Sequence, residues 1–418
     1  MQRRKMFVAG VGALALVGGL AGCSNASSTD ANTLTFTAAT DYREAFEAVI
    51  ANYEDANPEV TVDVTFAATS DIESTMPTQL GSGAGPDLVS VQPGIGGNLI
   101  SVGSLASQGY LEDLSGQSWA GDISDSLRTS TDLDGATYMY PGVLQPLGAF
   151  YNMDAVGEAG LVLPESWTDV LAFCADAASA GKTAFSLGLQ DAWVTQLIPY
   201  ALAATEVYGV DQNWNEQLIA GDVTFPDSAW EGVLTQYLEM NDAGCFTPSA
   251  NGVSFDNSLP PVAAGDALGI VQVGGVFSNL QGQNPEVTYA LLPLPANDDP
   301  SSTQIAASPG VGVGVNANSA RKDLAIDFVN FFAQPEQINL FAETLGGVVP
   351  ALPNDDFQVP ELLGTFNDLV VEGKAQPFPD TGWPNPRIQN AHLVGIQNMF
   401  LGTETPEQVL TDMQSALD

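Results

Sequence analysis

The sequence predicts an α/β protein built in two domains. Three observations carry that expectation. From Leu34 to Val91 short apolar strands alternate with helix-patterned stretches, a rhythm that predicts a mostly parallel sheet. About 395 residues remain once an N-terminal export segment is set aside, too many for one compact core. The apolar stretch Tyr138 to Asn152 (YMYPGVLQPLGAFYN) carries Pro141 and Pro146 and reads as a strand pair passing through a hinge.

Each element has its own signal. Leu34 to Ala38 (LTFTA) is a short β-like run, and Asp41 follows at a helix-start position. From Tyr42 to Tyr53, Phe46, Val49, Ile50 and Tyr53 recur at helical spacing, and Asn57-Pro58 stops the helix. Val60 to Phe66 (VTVDVTF) alternates as a second strand. A helix over Asp71 to Leu80 comes next. Gly81 to Pro86 then breaks the chain before a buried strand, Asp87 to Val91. Ser166-Trp167 opens a helix through Ala180, with Asp169 at capping-box spacing from Ser166. Ala263 to Phe277 gives a small-residue helix end and then a strand, GIVQVGGVF. Tyr289 to Pro295 and Val311 to Val315 read as strands. Asp323 to Phe332 reads as a helix with Leu324, Phe328 and Phe331 on one side, and Glu407 to Leu417 as a short amphipathic helix. No repeat of fixed period is present.

The N-terminus reads as an export signal (1–22). Arg3, Arg4 and Lys5 precede an uncharged run, Phe7 to Gly22, too short and glycine-rich for a good spanning helix. It ends in Leu20-Ala21-Gly22-Cys23, which resembles the bacterial lipoprotein lipobox. That resemblance implies diacylglycerol on the Cys23 thiol and attachment to the outer face of the cell membrane. The alternative is a plain secretory signal with a chance cysteine. The polar run after Cys23 reads as a flexible tether (23–32).

Without Arg3, Arg4 and Lys5 the chain keeps seven basic residues against 50 acidic, a formal charge of −43. Such a balance excludes nucleic acid as a partner, because phosphate binding needs basic patches. It also excludes adhesion to anionic lipid by charge, so membrane attachment falls to an acyl group. Two cysteines remain beside Cys23. In an oxidising compartment the simplest assignment is a Cys174–Cys245 disulfide, with two buried thiols as the alternative.

Several stretches, in this order, resemble the carbohydrate-binding family of ABC-importer solute-binding proteins, the family of maltodextrin-binding protein. They are LTFTAATDYREAFEAVIANYEDANPEVTVDV; PDLVSV with SLASQGYLEDL; YPGVLQPLGAFYNMDAVGEAGLVLPESWTDVLAFC; AAGDALGIVQVGGVFSN; NANSARKDLAIDFVNFFAQPEQ; and LGGVVPAL. The resemblance runs from about Leu34 to Leu417. It implies a two-lobed periplasmic-binding-protein-like (class II) fold, with two α/β domains joined by a multi-crossing hinge around a ligand cleft. Crossings are expected near Gly142–Gln145, Pro309–Val313 and Leu352–Pro360. Lobe 1 would comprise 33–143 plus 314–355, and lobe 2 144–310 plus 356–418. The implied role is capture of a neutral sugar or oligosaccharide by a monomer and delivery to the permease subunits, with no cofactor.

A sugar site needs short polar side chains interleaved with aromatic platforms. Asp191 and Trp193 (LQDAW), an acid and an aromatic two apart, are the best such pair; the matching segment of maltodextrin-binding protein also carries one. Their alternative is a solvated cap and a core Trp. Asp41 and Tyr42 follow the first strand, where ligands of open α/β sheets bind, though Asp41 could instead cap the helix. Gln92 and Gln145 are hinge or loop amides suited to a polyol or to backbone. Gly274 and Phe277 fall where relatives carry Gly and an aromatic, with Val276 replacing the Trp of maltodextrin-binding protein. That departure implies a different pocket, and Phe277 serves either stacking or core. Trp383 (DTGWPNPR) lines either cleft or core. Arg387 donates to a hydroxyl or pairs with an acid. Trp167 is assigned to the core.

The chain is expected not to be an enzyme. Its one histidine, His392, sits in an apolar helical setting, and no nucleophile elbow, zinc-protease motif or phosphate loop is present. No metal site is expected, since His and Cys are scarce and no calcium loop appears. A peptide or polyamine ligand is the alternative within the class. A glycoside hydrolase using a carboxylate pair, or a lipoprotein adhesin, are the rivals outside it.

Overall fold

In a computed structural model, residues 31–310 and 312–418 are described. The expected signal, Cys23 and the tether as far as Asp30 lie outside the described residues.

In chain order the strands are β1 (Thr33–Ala39), β2 (Thr61–Ala67), β3 (Leu88–Val91), β4 (Asp132–Leu133), β5 (Ala136–Thr137), β6 (Val143–Asn152), β7 (Thr183–Ser186), β8 (Ala267–Val273), β9 (Tyr289–Leu292), β10 (Ile305–Pro309), β11 (Gly312–Val315), β12 (Val349–Pro350) and β13 (Ala375–Gln376). They form two principal sheets. The smaller has the order β11-β3-β1-β2, and the larger runs β13-β10-β6-β8-β7, with β9 and β12 also pairing β6. β1 is parallel to β2 in the register Thr33↔Thr61 to Ala39↔Ala67, and parallel to β3. β11 closes that sheet antiparallel to β3.

The strand–helix–strand entry follows from its side-chain periods. Leu34, Phe36 and Ala38 of β1 are buried while Thr33, Thr35 and Thr37 are half-exposed. In the helix Arg43–Ala56, Phe46, Val49, Ile50 and Tyr53 form one buried stripe. That stripe meets Phe328, Phe332 and Phe341 from two later helices, Lys322–Phe332 and Pro335–Leu345. β3, β8, β10 and β11 are buried at every position, as strands covered on both faces must be.

β6 organises the larger sheet. Its first half pairs β10 and β12, and its second half pairs β8 and β9. Two expectations are corrected here. Tyr138–Asn152 is not a strand pair: only Val143–Asn152 is a continuous strand, because Pro141 lacks an N–H and Gly142 turns at φ 59°. The strand expected over 269–277 stops at Val273, since Gly274–Val276 form a 3₁₀ turn and Phe277 begins a helix.

Each sheet has its own hydrophobic core. The larger one holds Tyr151, Phe173, Phe185, Trp230, Tyr237 and Trp383, and each such ring adds about 1.5–3 kcal/mol by leaving water. Trp167 is half-buried against this core. The helix Trp167–Ser179 starts as expected, with the Asp169 N–H donating to Ser166 Oγ at 3.2 Å. Cys174 of that helix is bridged to Cys245, so the disulfide reading holds over that of two buried thiols. Among the described residues no helix is long and apolar enough to cross a membrane.

Candidate functional site

A cavity of about 320 Å³ opens between the elements of the two sheets. The smaller sheet contributes from the carboxyl ends of its three parallel strands: Asp41 and Tyr42 after β1, Glu73 after β2, Gln92 and Asn98 after β3. Open α/β sheets bind ligands there because the strand order leaves a crevice outside those ends. The larger sheet contributes Gln145 from β6, Asp191, Trp193 and Gln196 after β7, Val276 after β8, and Asp380 and Gln389 from the C-terminal segment.

Six of the expected residues therefore lie together. Tyr42 is buried, stacked on Phe341 at 6.3 Å, and its hydroxyl donates to Gln145 Oε1 at 3.4 Å. The same oxygen accepts from the Gly275 N–H at 3.3 Å. Gln92 is half-buried on the cavity wall. Asp191 accepts from the Phe255 N–H at 2.7 Å, and Trp193 packs tilted on the Phe255 ring at 5.1 Å. Trp193 is half-buried, with a cavity-lining surface. Asp41 caps nothing: it lies in the 3₁₀ turn Thr40–Tyr42, and its carboxylate accepts no hydrogen bond among the described residues.

Three expected residues are elsewhere. Trp383 is fully buried in the larger core, 5.8 Å from Phe225, 6.0 Å from Tyr200 and 5.9 Å from His392. An indole of that size fits a closed aromatic cluster better than a wetted wall, so the cleft reading of Trp383 is withdrawn. Phe277 stacks on Phe150 at 5.5 Å and meets Tyr289 edge-on, which makes it a packing residue. Gly274 is not among the residues lining the cavity, and a Cβ there would strike the Gly347 carbonyl and Pro146. Arg387 makes no ion pair among the described residues.

Sequence reasoning missed a polar relay. Asn98 Nδ2 donates to Glu73 Oε1 at 2.7 Å and to Gln389 Oε1 at 3.3 Å. Gln389 Nε2 donates in turn to Asp380 Oδ2 at 2.9 Å and Gln196 Oε1 at 3.0 Å. The relay thus ties the loop after β3 to the C-terminal segment, and the Ile95 N–H reinforces it by donating to the Thr381 carbonyl at 2.8 Å. Glu73 and Asn98 were findable, since they follow parallel strands at the same end as Asp41. Gln389 and Asp380 carry no local signal.

Burial dominates the electrostatics. It pushes Asp41 up to about 6, helped by the nearby Asp256 and Asp191 carboxylates. It raises Glu73, against the Asn98 hydrogen bond. It lifts Asp380 to about 7, with the Tyr200 hydroxyl opposing and Glu73 adding. All three of these carboxyls line the cavity. His392, in the apolar core, is pushed down to about 3 and stays neutral. No three His, Cys, Asp or Glu side chains among the described residues are grouped to hold a metal ion. What the cavity offers is amide donors, carboxyl acceptors and the aromatic surfaces of Tyr42, Trp193 and Phe378, the equipment of non-covalent recognition.

Comparison with known proteins agrees with this geometry. Residues 39–338 match the family model described as bacterial extracellular solute-binding protein. A protein of Brucella abortus described as a binding protein is 23% identical over 417 residues, covering 96% of this chain and 97% of its own. A multiple sugar-binding protein of Streptococcus mutans is 19% identical over 304 residues, 72% of this chain and 70% of its own. Among solved structures, a Bacillus licheniformis sugar transporter protein in complex with stachyose superposes with a TM-score of 0.74 at 17% identity. The match covers 92% of this chain and 98% of that one. The solute-binding protein RafE in complex with raffinose gives a TM-score of 0.76 at 17% identity over the same shares.

Proposed function

The chain belongs to the bacterial extracellular solute-binding proteins, and on that premise we propose that it captures a sugar for an ABC importer. The carrying observation is the cavity itself. It lies between two independently cored sheets and sets Trp193 beside carboxyls and amides drawn from both. A sugar presents hydroxyls to such groups and an apolar ring face to an indole. Stachyose and raffinose in the two solved structures, and the sugar-binding relative, support the same ligand class.

In this reading the units 33–143 plus 314–355 and 144–310 plus 356–418 are lobes that close on ligand, the change crossing three chain segments. The loaded protein docks on the permease subunits. Cys23 carries the lipid that keeps a monomer at the outer face of the membrane. The site binds without turnover, so a glycoside hydrolase is disfavoured: no water-activating pair is needed to explain the carboxyls, which also serve as hydroxyl acceptors.

A thermal-shift screen of the purified protein against mono- and oligosaccharides tests this, with amino acids, short peptides and polyamines alongside. Ligand at about 100 times its dissociation constant adds about 2.7 kcal/mol. A shift confined to one sugar group, with no product released on incubation, is the expected result. A shift with peptides or polyamines alone would overturn the sugar, and product release would overturn the binding role.

A further inference from the structure

Resting on the reading of the cavity as a sugar site, we propose that its sugar carries a protonated amine, seated between Asp41 and Asp191 beside Trp193. The argument begins with how unevenly the cavity treats its carboxyls. At one end Glu73 and Asp380 each receive an amide donor, from Asn98 and Gln389. Asp191 receives one backbone N–H. Asp41 receives no hydrogen bond among the described residues, although it is half-buried on the cavity wall. A partly buried carboxylate without a donor, set among like charges, is costly, and it is kept where something else supplies the partner.

Nothing nearby among the described residues does so. Arg43, two residues on, pairs with Glu47 at 3.4 Å and lies over the Phe66 ring at 4.1 Å. Glu44 in the same turn is acidic. From the segment after β7 the facing group is Asp191, and from the helix Phe255–Ala263 it is Asp256; both act on Asp41 as like charges. Among the described residues no Lys or Arg lines the cavity. Asp41 follows a strand of the smaller sheet, whereas Asp191 and Asp256 come from elements around the larger one. Bringing the units together therefore sets like charges against each other. A neutral hydroxyl can donate a hydrogen bond there without offsetting the repulsion; an ammonium does both. Trp193, next but one to Asp191, adds an indole whose face attracts a cation.

A second feature points to a ligand that is more than a simple amine. Gln145 is only 7% exposed and lines the same cavity. Its Oε1 is occupied by the Tyr42 hydroxyl and the Gly275 N–H, while Nε2 has no partner among the described residues. That donor, open to the cavity, can meet an oxygen acceptor, which a carbohydrate has and a bare polyamine lacks.

The test is competitive calorimetry on the purified protein with matched pairs. These are glucosamine and glucose, galactosamine and galactose, and glucosamine and glucose oligomers of equal length and linkage, with spermidine as a further arm. The expected result at about pH 7.5 is an aminated member binding about tenfold or more tighter than its neutral partner, the factor one pKa unit represents. The margin shrinks at about pH 5, where Asp41 takes up its own proton. In Asp41→Asn, checked for folding by circular dichroism, the ratio falls toward one. Neutral sugars binding as well as their aminated partners would overturn this inference and leave the sugar role standing. Binding of spermidine alone, or of nothing in the panel, would overturn both. The wild-type pH comparison decides the matter even if the variant does not fold.

Discussion

The Phe255 N–H donates to Asp191 Oδ2 at 2.7 Å, so one cavity carboxylate also satisfies the first turn of the helix Phe255–Ala263. Recognition and local structure therefore share an oxygen. Asp191→Ala is expected to lose about 0.5–2 kcal/mol of stability along with affinity, as the helix start is left unsatisfied. Asp191→Asn keeps an acceptor and should hold most of the stability. Urea melts of the two variants check this, and equal losses would show that charge, not the hydrogen bond, does the structural work.

Two tryptophans separate binding from packing. Trp383→Ala should cost about 3–5 kcal/mol, because it empties the centre of the larger core. Trp193→Ala should leave a folded protein whose sugar affinity falls about tenfold, since ring stacking is worth about 0.5–1.5 kcal/mol beyond area. Melting temperatures and titration calorimetry read the two effects. Unchanged affinity in Trp193→Ala would move the site.

Stability should rise as pH falls toward mildly acidic values. Asp41, Asp380 and Glu73 bind their protons more tightly folded than unfolded. Their contribution is full below the unfolded carboxyl value and is lost as pH climbs through the folded values, about 6 for Asp41 and about 7 for Asp380. His392 works in the opposite sense. Held neutral down to about 3, it loses stability as pH drops through the unfolded imidazole range. Three groups outweigh one, so the unliganded protein should gain about 1 kcal/mol between about pH 7.5 and about pH 5.5. In Asp380→Asn that gain should shrink; an unchanged gain would place its source among the surface acids.

Closure is expected to be sensitive at Gly97. A Cβ there would enter the Asp380 carbonyl, beside the Ile95–Thr381 bond and the Asn98–Gln389 relay. Gly97→Ala should weaken ligand binding and enlarge the liganded protein in X-ray scattering, with little loss of melting temperature. A variant as compact and as tight-binding as wild type would remove these contacts from the closing step.

Reducing the Cys174–Cys245 bridge releases two positions 71 residues apart. In the chain-entropy model that costs about 2–4 kcal/mol. Denaturant titration with and without reductant measures it, and coincident curves would assign the bridge no stabilising role.

Part of this protein was readable from local pattern alone. The period of two in β1 and of 3.6 in Arg43–Ala56 mark which side chains go inward, and a strand–helix–strand at that rhythm yields a parallel sheet. Parallel strands in turn place Asp41, Tyr42 and Gln92 at one sheet end, which is why half the cavity could be named. Asp191 and Trp193 were visible because an acid and an aromatic share one loop.

What tertiary structure decided is where segments distant in sequence meet. Trp383 and Asp380 stand three residues apart in one turn, yet one fills a core and the other lines the cavity. No composition or period distinguishes them. Gln389 is likewise ordinary helix sequence until Asn98, 291 positions earlier, hydrogen-bonds to it. The charge of the cavity was hidden for the same reason. Fifty acids are scattered along the chain, and only packing around the two sheets brings Asp41, Glu73 and Asp380 to one cavity, where burial raises all three. Local periodicity specifies which face of an element is buried, because that depends on neighbours a few residues away. Which buried faces surround a common space depends on contacts across the whole chain.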